Sequence, residues 1–198
     1  VSPDRLAAVL DAADQSVSVV SIMAINNETG VVNDIPALVE VTRRHAPGAW
    51  FHTDAVQALG WIDLAAHVED ADLISITGHK FGGPVGTGAL FVRHGVELNA
   101  QILGGGQERG RRAGTPDVAG AAAFAAAATA TVAARDADVV RLGALRDRLV
   151  AGLRDRLGEV VAPTVLDGGA PVAAGIAHVV LADVEAEALL FLLDAAGV

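Results

Sequence analysis

Between Ser16 and Thr53 the chain runs strand, helix, strand, and this order constrains its fold more than any other feature. Ser16 to Ile25 is rich in β-branched and other apolar residues and reads as a buried strand. Asn26-Asn27-Glu28-Thr29-Gly30 is a turn, and Ile35 to His45 reads as a helix capped by Asp34, with Pro36 in its first turn. A second strand follows around Ala49 to Thr53, which completes a βαβ unit. Ser2 and Pro3 signal an earlier helix over Pro3 to Ala12, and Asp72 to Thr77 and Thr87 to Arg93 read as further strands. The expectation is an α/β layered sheet.

Beyond this sheet the character changes. Leu103-Gly-Gly-Gly-Gln107 cannot be regular structure. From Asp117 long helices are expected, with Phe124, Leu142, Leu145, Leu149 and Leu153 at helical spacing. A domain boundary is expected here. Val160 to Val165, Gly175 to Leu181 and Val184 to Ala196 then read as strand, strand and helix, too little to close a domain unaided. The first residue is not methionine, which fits a piece of a longer protein, and no signal-peptide pattern is visible at Val1.

Composition excludes several function classes. A net charge of -10 without a basic stripe argues against nucleic acid and anionic membrane surfaces, and favours small-molecule or protein partners. The alanine-rich run from Val118 to Ala134 is flanked by Asp117 and Arg135 and reads as a packed helix rather than a membrane span. The absence of cysteine excludes disulfides and thiolate metal sites and fits a reducing cytoplasm.

Lys80 is the only lysine among 14 basic residues. It stands in Ser75-Ile-Thr-Gly-His-Lys-Phe-Gly-Gly-Pro-Val-Gly-Thr-Gly88, where an apolar strand breaks into a glycine-rich turn. An amine can form a Schiff base and a guanidinium cannot, and a lysine that bonds a carbonyl cofactor needs a strand end, shelter from bulk water and close backbone approach. Asp54 closes another strand, where an aspartate serves as turn former or helix cap, or as a carboxylate beside a cationic ring nitrogen. Gln57 stands on the same side of the following turn, and Asn27 ends the first strand. Polar sets at the ends of adjacent strands mark the edge where open α/β sheets bind ligands. His79 and the His52-Thr53-Asp54 segment are candidate metal ligands, but no metal-binding spacing accompanies them, and cofactor contact or proton transfer explains His79 better. The glycines at 82, 83, 86 and 88 are not followed by the Gly-Lys-Ser/Thr of a nucleotide loop. Arg109, Arg111 and Arg112 read as a solvated face or as an anion or subunit contact, and His45, His67, His94 and His178 as structural.

Four motifs in order carry a resemblance: Asn26-Asn27-Glu28-Thr29-Gly30, His52-Thr53-Asp54-Ala55-Val56-Gln57, Thr77-Gly78-His79-Lys80 with Gly83-Pro84-x-Gly86-x-Gly88, and Gly104-Gly105-Gly106-Gln107-Glu108-Arg109-Gly110-x-Arg112-x-Gly114-Thr115. Together they resemble cysteine desulfurases of the NifS/IscS type, class V aminotransferase-like enzymes that bind pyridoxal 5'-phosphate. The resemblance implies the fold type I architecture of pyridoxal phosphate-dependent transferases. Residues 1–133 would be part of the large cofactor-binding domain with a mostly parallel sheet, and residues 134–198 part of a small C-terminal α+β domain.

The resemblance also implies roles. Lys80 would be the Schiff-base lysine and later the proton carrier, Asp54 would pair with the pyridinium nitrogen, and Gln57 would bond the ring's phenolic oxygen. Asn27 would contact that oxygen or the substrate carboxylate. Thr77, standing where many relatives have serine, and His79 would hold the phosphate, and Thr115 would reach the phosphate of the partner subunit in a homodimer. Val85 replaces a lysine common in relatives, which leaves Lys80 unchallenged. The implied reaction is conversion of L-cysteine to L-alanine, with sulfur passed as a persulfide to a sulfur acceptor or iron–sulfur scaffold protein. Two departures qualify this. The sequence has no cysteine to take the sulfur, and nothing before Ser16 resembles the family's phosphate-binding turn and ring-stacking histidine. The expectation is therefore a chain truncated at both ends, inactive alone. A different class V lyase or aminotransferase, or a non-catalytic dimerising relative, are the alternatives.

Overall fold

The computed structural model describes residues 1–163 and 169–198. Helix α1 (Pro3–Asp11) begins at Ser2, whose hydroxyl accepts from the Arg5 amide, and is followed by strand β1 (Val19–Met23). Helix α2 (Ile35–His45) starts where expected, with the Asp34 side chain accepting from the Ala37 amide and proline in the first turn. Ile35, Leu38, Val39 and Thr42 share its buried face, at the spacing of a helix packed on one side. Strand β2 (Trp50–Asp54), a single-turn helix α3 (Leu64–His67), and strands β3 (Leu73–Thr77) and β4 (Gly88–Val92) complete the first region.

The four strands form one sheet in the order β1-β2-β3-β4. β1, β2 and β3 are mutually parallel and β4 runs antiparallel to β3. Parallel neighbours need a crossover, and α2 provides the one between β1 and β2. Side chains alternate between faces, so Val20, Phe51 and Ile76 enter a core with Leu6 and Leu10 of α1 and the buried residues of α2. Phe51 is fully buried, worth about 2 kcal/mol by area. The opposite face carries Ser21, His52, Asp54 and Ser75; of its apolar members Val19, Trp50 and Leu90 are exposed and Leu73 is buried.

One ion pair ties helix to sheet. Arg43, in the last turn of α2, donates from Nη2 to both carboxylate oxygens of Asp72 at 2.7 Å and from Nη1 to the Ala49 carbonyl at 3.2 Å. Asp72, 3% exposed, also accepts the Phe51 amide at 2.7 Å. A carboxylate this buried is tolerable because each oxygen has a charged or amide donor.

Helix α4 (Val118–Leu157) is 40 residues long and begins at Asp117, whose carboxylate accepts the Gly120 amide. Several helices were expected here, but no glycine or proline breaks the segment, since Gly143 and Gly152 are accommodated within it. It is long and apolar enough to cross a membrane by length and composition. Side-chain bonds nevertheless dock it beside the sheet: Thr131 Oγ1 donates to the Phe81 carbonyl, Arg135 Nη1 donates to the Ile62 carbonyl, and Phe124 meets Phe81 edge-on with ring centroids 5.1 Å apart. Strands β5 (Val161–Pro163) and β6 (Val179–Leu181) pair antiparallel, and helix α5 (Ala186–Ala195) follows. Of the strand expected over Val160 to Val165, Thr164 and Val165 lie outside the described residues. The strand expected from Gly175 begins only at Val179, because residues 171–176 pack instead on the turn after β1: Val32 donates to the Pro171 carbonyl and Ala173 to the Gly30 carbonyl.

Two stability predictions follow from this core. Thr53 is fully buried, and its hydroxyl alone among the described buried side-chain atoms has no hydrogen-bond partner. Thr53→Val should stabilise the protein by about 1 kcal/mol in urea unfolding. Asp72→Asn should destabilise it by about 2 kcal/mol in the same assay, the cost of stranding Arg43 being moderated by water at its partly exposed guanidinium.

Candidate active site

The parallel pairing puts the C-terminal ends of β1, β2 and β3 at one edge of the sheet. Met23, Asp54 and Ser75 are register partners across the three strands, so the expected site residues leave the sheet at nearly one level. Asp54 is the last residue of β2 and Thr77 the last of β3. Gln57 lies in the tight turn after Asp54, stabilised by the Ala58 amide donating to the Ala55 carbonyl. His79 and Lys80 lie in a single 3-10 turn, Gly78–Phe81, directly after β3.

The Asp54 carboxylate accepts the Val56 amide through Oδ1 at 3.0 Å. The turn-forming role and the carboxylate role are thus compatible, since no second donor among the described residues reaches the group. Thr77 Oγ1 donates to the Thr87 carbonyl at 3.1 Å and lies 3.1 Å from His79 Nδ1. That arrangement makes Nδ1–H the donor to Thr77 and leaves Nε2 pointing elsewhere, a tautomer assigned from the bonding pattern. Gln57 and Lys80 line one cleft of about 340 Å³, together with Phe81, Thr131 and Arg135. Lys80 is exposed and in no ion pair among the described residues. The sheltered position expected of it is absent because no described element covers this edge.

The glycines around Lys80 have a steric reason. A Cβ on Gly78 would collide with Thr87 Oγ1, and one on Gly88 would stand 2.9 Å from the Ile76 carbonyl oxygen. Side chains there would push the returning strand β4 off the lysine turn.

Asn27 and Thr115 are not drawn into these contacts. Asn27 is exposed in its turn, and its neighbour Asn26 shapes that turn by accepting from the Glu28 and Thr29 amides and the Thr29 hydroxyl. Thr115 is exposed in the irregular segment before α4. That segment is closed by the Ala113 amide donating to the Ile102 carbonyl, and it places Glu108 and Arg109 at φ 49° and 58°, left-handed backbone that costs non-glycine residues energy. Among the described residues no three His, Asp or Glu groups cluster as a metal site would require. His45 bonds Asp11 of α1 at 2.7 Å, and His67 bonds the Asn33 carbonyl at 2.7 Å, both bracing the scaffold.

Sequence reasoning passed over Ser21 and Ser75, which sit at the two ring nitrogens of His52. His52 is half-buried, and desolvation pushes its proton affinity below the ordinary histidine value while the Asp54 charge opposes the shift. The signal was the polar residues placed at the same parity in three apolar strands, unusual for a buried sheet.

The aminotransferase class-V family profile matches residues 3–198. The chain belongs to the class-V aminotransferase family. Among curated relatives, it is 42% identical over 181 residues to a cysteine desulfurase of Gluconacetobacter diazotrophicus, an alignment spanning 91% of this chain and 44% of that protein. It is 40% identical over 199 residues to the IscS-like cysteine desulfurase of Mycobacterium tuberculosis, covering 100% of this chain and 49% of the relative. The chain thus spans about half the length of the relatives it matches. Among solved structures, a NifS-like protein superposes with a TM-score of 0.87 at 31% identity, over 100% of this chain and 52% of the other. The NifS-like protein from Rickettsia africae gives 0.85 at 28%, over 98% and 52%. This class-V chain has the α/β, mostly parallel fold of those proteins, the type I fold of pyridoxal phosphate enzymes.

Gly30 offers a test of how this family member builds the edge. It adopts φ +75°, and a Cβ there would stand 2.9 Å from both Ile176 Cβ and Val172 Cγ1. Gly30→Ala should lower stability by about 2 kcal/mol in denaturant unfolding, combining left-handed strain with overpacking.

Proposed function

We propose that the protein to which these residues belong is a pyridoxal 5'-phosphate-dependent cysteine desulfurase. It converts L-cysteine to L-alanine and passes the sulfur, as a persulfide, to an acceptor for iron–sulfur cluster or thio-cofactor assembly. The observation that carries this reading is the meeting of Asp54, Thr77 and Lys80 at one edge of three parallel strands, with Gln57 and Lys80 on one cleft, in a chain about 40% identical to proteins named cysteine desulfurase.

The residues present fit the cofactor. The glycines at 78 and 88 keep backbone close to the lysine turn, and Lys80 and one oxygen of Asp54 are uncommitted among the described residues. Bound pyridoxal phosphate supplies an electron-poor ring that stabilises negative charge at the substrate α-carbon. Asp54 would supply the carboxylate that keeps the ring nitrogen protonated. Gln57 would donate its amide N–H to the ring oxygen, and Asn27 would serve that oxygen or the substrate carboxylate. His79 and Thr77 would act as one unit toward phosphate: with Nδ1–H committed to Thr77, His79 would meet the anion through Nε2, as a donor once that nitrogen is protonated. Lys80 would hold the cofactor through its carbonyl carbon, with loss of water, and once displaced by the substrate amine its free Nζ would take up the proton from the substrate α-carbon. The sulfur-accepting thiol is supplied by residues other than these, since the sequence contains no cysteine.

The same reading assigns residues 1–133 to a large cofactor-binding domain and 134–198 to the start of a smaller one, with α4 running through both. It makes the protein a cytoplasmic homodimer in which Thr115 reaches the partner subunit's cofactor phosphate. Exposure of Thr115 in the segment before α4 is compatible with such a contact.

The test uses the full-length protein. Incubation with pyridoxal phosphate, borohydride reduction and peptide mapping should place the pyridoxyl mass on Lys80, and Lys80→Ala should lose both the label and alanine formation from L-cysteine. A folded protein that takes no label, or that labels elsewhere, refutes the assignment.

A further inference from the structure

Asp54 shares its face of the sheet with a second titratable group. His52 lies two residues earlier on β2, and alternation along a strand points both side chains the same way. The imidazole is held at both ends: Nδ1 is 2.8 Å from Ser21 Oγ on β1, and Nε2 is 3.1 Å from Ser75 Oγ on β3. The register accounts for this, since Ser21 is the partner of His52 and Ser75 the partner of Asp54. The ring therefore bridges three strands one pleat below the edge where Asp54 stands. Hydroxyls can donate or accept, so either neutral tautomer satisfies both nitrogens. Partial burial disfavours the charged ring and outweighs the pull of the Asp54 charge.

We infer, on the reading of this edge as a pyridoxal phosphate site, that His52 is a positioning residue that sets the charge Asp54 presents to the cofactor ring. Bridged by Ser21 and Ser75 as a neutral imidazole, it leaves the carboxylate uncompensated. Protonated, it becomes a cation that competes with the ring nitrogen for the same carboxylate. From the neighbouring strands this face receives Ser21 and Met23 of β1, Ser75 and Thr77 of β3, and Gly88 and Leu90 of β4, none of which titrates near neutrality. Beyond the end of β3 the next charged or titratable groups are His79 and Lys80. Leu73, the register partner of His52 on this face, is buried, while Val19, Trp50 and Leu90 are exposed, and none of these titrates.

The coupling has a definite sign. A cationic ring beside Asp54 neutralises the attraction that favours protonated His52, so cofactor binding lowers the proton affinity of His52. By reciprocity, protonating His52 weakens cofactor binding. Affinity is therefore full at pH above the His52 titration and falls as the pH drops through it.

Two measurements on the full-length protein test this. Without cofactor, ring-resolved nitrogen NMR should show His52 titrating below an ordinary histidine. Asp54→Asn should move that titration lower still, and Ser21→Ala with Ser75→Ala should raise it by freeing the ring to turn toward the carboxylate. With cofactor, the dissociation constant of pyridoxal phosphate should rise between about pH 8 and about pH 5.5 by roughly fivefold more in the wild type than in His52→Gln, whose amide bridges the two serines without titrating. His52→Asn provides a second non-titrating variant should the glutamine fail to fold. Equal pH profiles in wild type and variants, or a His52 titration that ignores Asp54→Asn, overturn the inference. A wild type that binds no pyridoxal phosphate overturns the functional reading and the inference with it. The cofactor-free NMR then separates that result from a simple absence of coupling.

Discussion

Parallel pairing of β1, β2 and β3 is the constraint from which the rest of the arrangement follows. Strands that run the same way must be joined by crossovers, and their C-terminal ends emerge together. The turns leaving those ends are then neighbours in space though separated by tens of residues in sequence. Asn26 to Gly30, Asp54 to Gln57 and Thr77 to Lys80 become one surface by this route. β4 reverses direction, and because it returns immediately beside β3 it forces the lysine turn into a narrow space that only glycine fills at positions 78 and 88. The chemistry-bearing residues are thus positioned by backbone topology before any of them contacts a ligand.

The opposite end of the sheet has a different task, and charge performs it. Arg43 and Asp72 join the last turn of α2 to the start of β3, while the same carboxylate takes the Phe51 amide of β2. One buried acid therefore fixes a helix and two strands, so that the apolar core between them has a defined thickness. A basic last turn of α2 is also favoured by the helix dipole. The buried ion pair lies at one end of the strands and the candidate site residues at the other, where they remain polar and loosely bonded.

Local signals made much of this legible. Ser2 and Asp34 as caps, the β-branched runs of β1 and β3, and the glycines after Lys80 each act through neighbouring residues, and the elements they announce stand within a few residues of expectation. What escaped the sequence depends on register. Nothing in the one-dimensional order says that Ser21, His52 and Ser75 align, or that Asp72 meets Arg43, because those pairings arise only when strands are placed side by side. The segment after residue 170 escaped for a related reason. Its start is held by the turn after β1, where the Ala173 amide donates to the Gly30 carbonyl and the Pro171 carbonyl accepts from Val32, a long-range competitor that local propensity cannot weigh. The lysine's exposure was equally invisible, since shelter depends on what lies over the edge rather than on the turn that carries it.

Helix α4 has a mechanical consequence. It is a continuous rod of 40 residues, about 60 Å long, gripped near its middle by Thr131 on the Phe81 carbonyl and Arg135 on the Ile62 carbonyl. Farther along, Arg146 donates to the Val172 and Ala173 carbonyls, a second grip. From Thr131 to Leu157 the rod extends about 40 Å, so a tilt of about five degrees at the first grip carries the far end through about 3 Å. Phe81, which takes the Thr131 bond, is the residue next to Lys80. The rod therefore joins β5, β6 and α5, which follow its far end, to the lysine turn through the bond that Thr131 makes at Phe81.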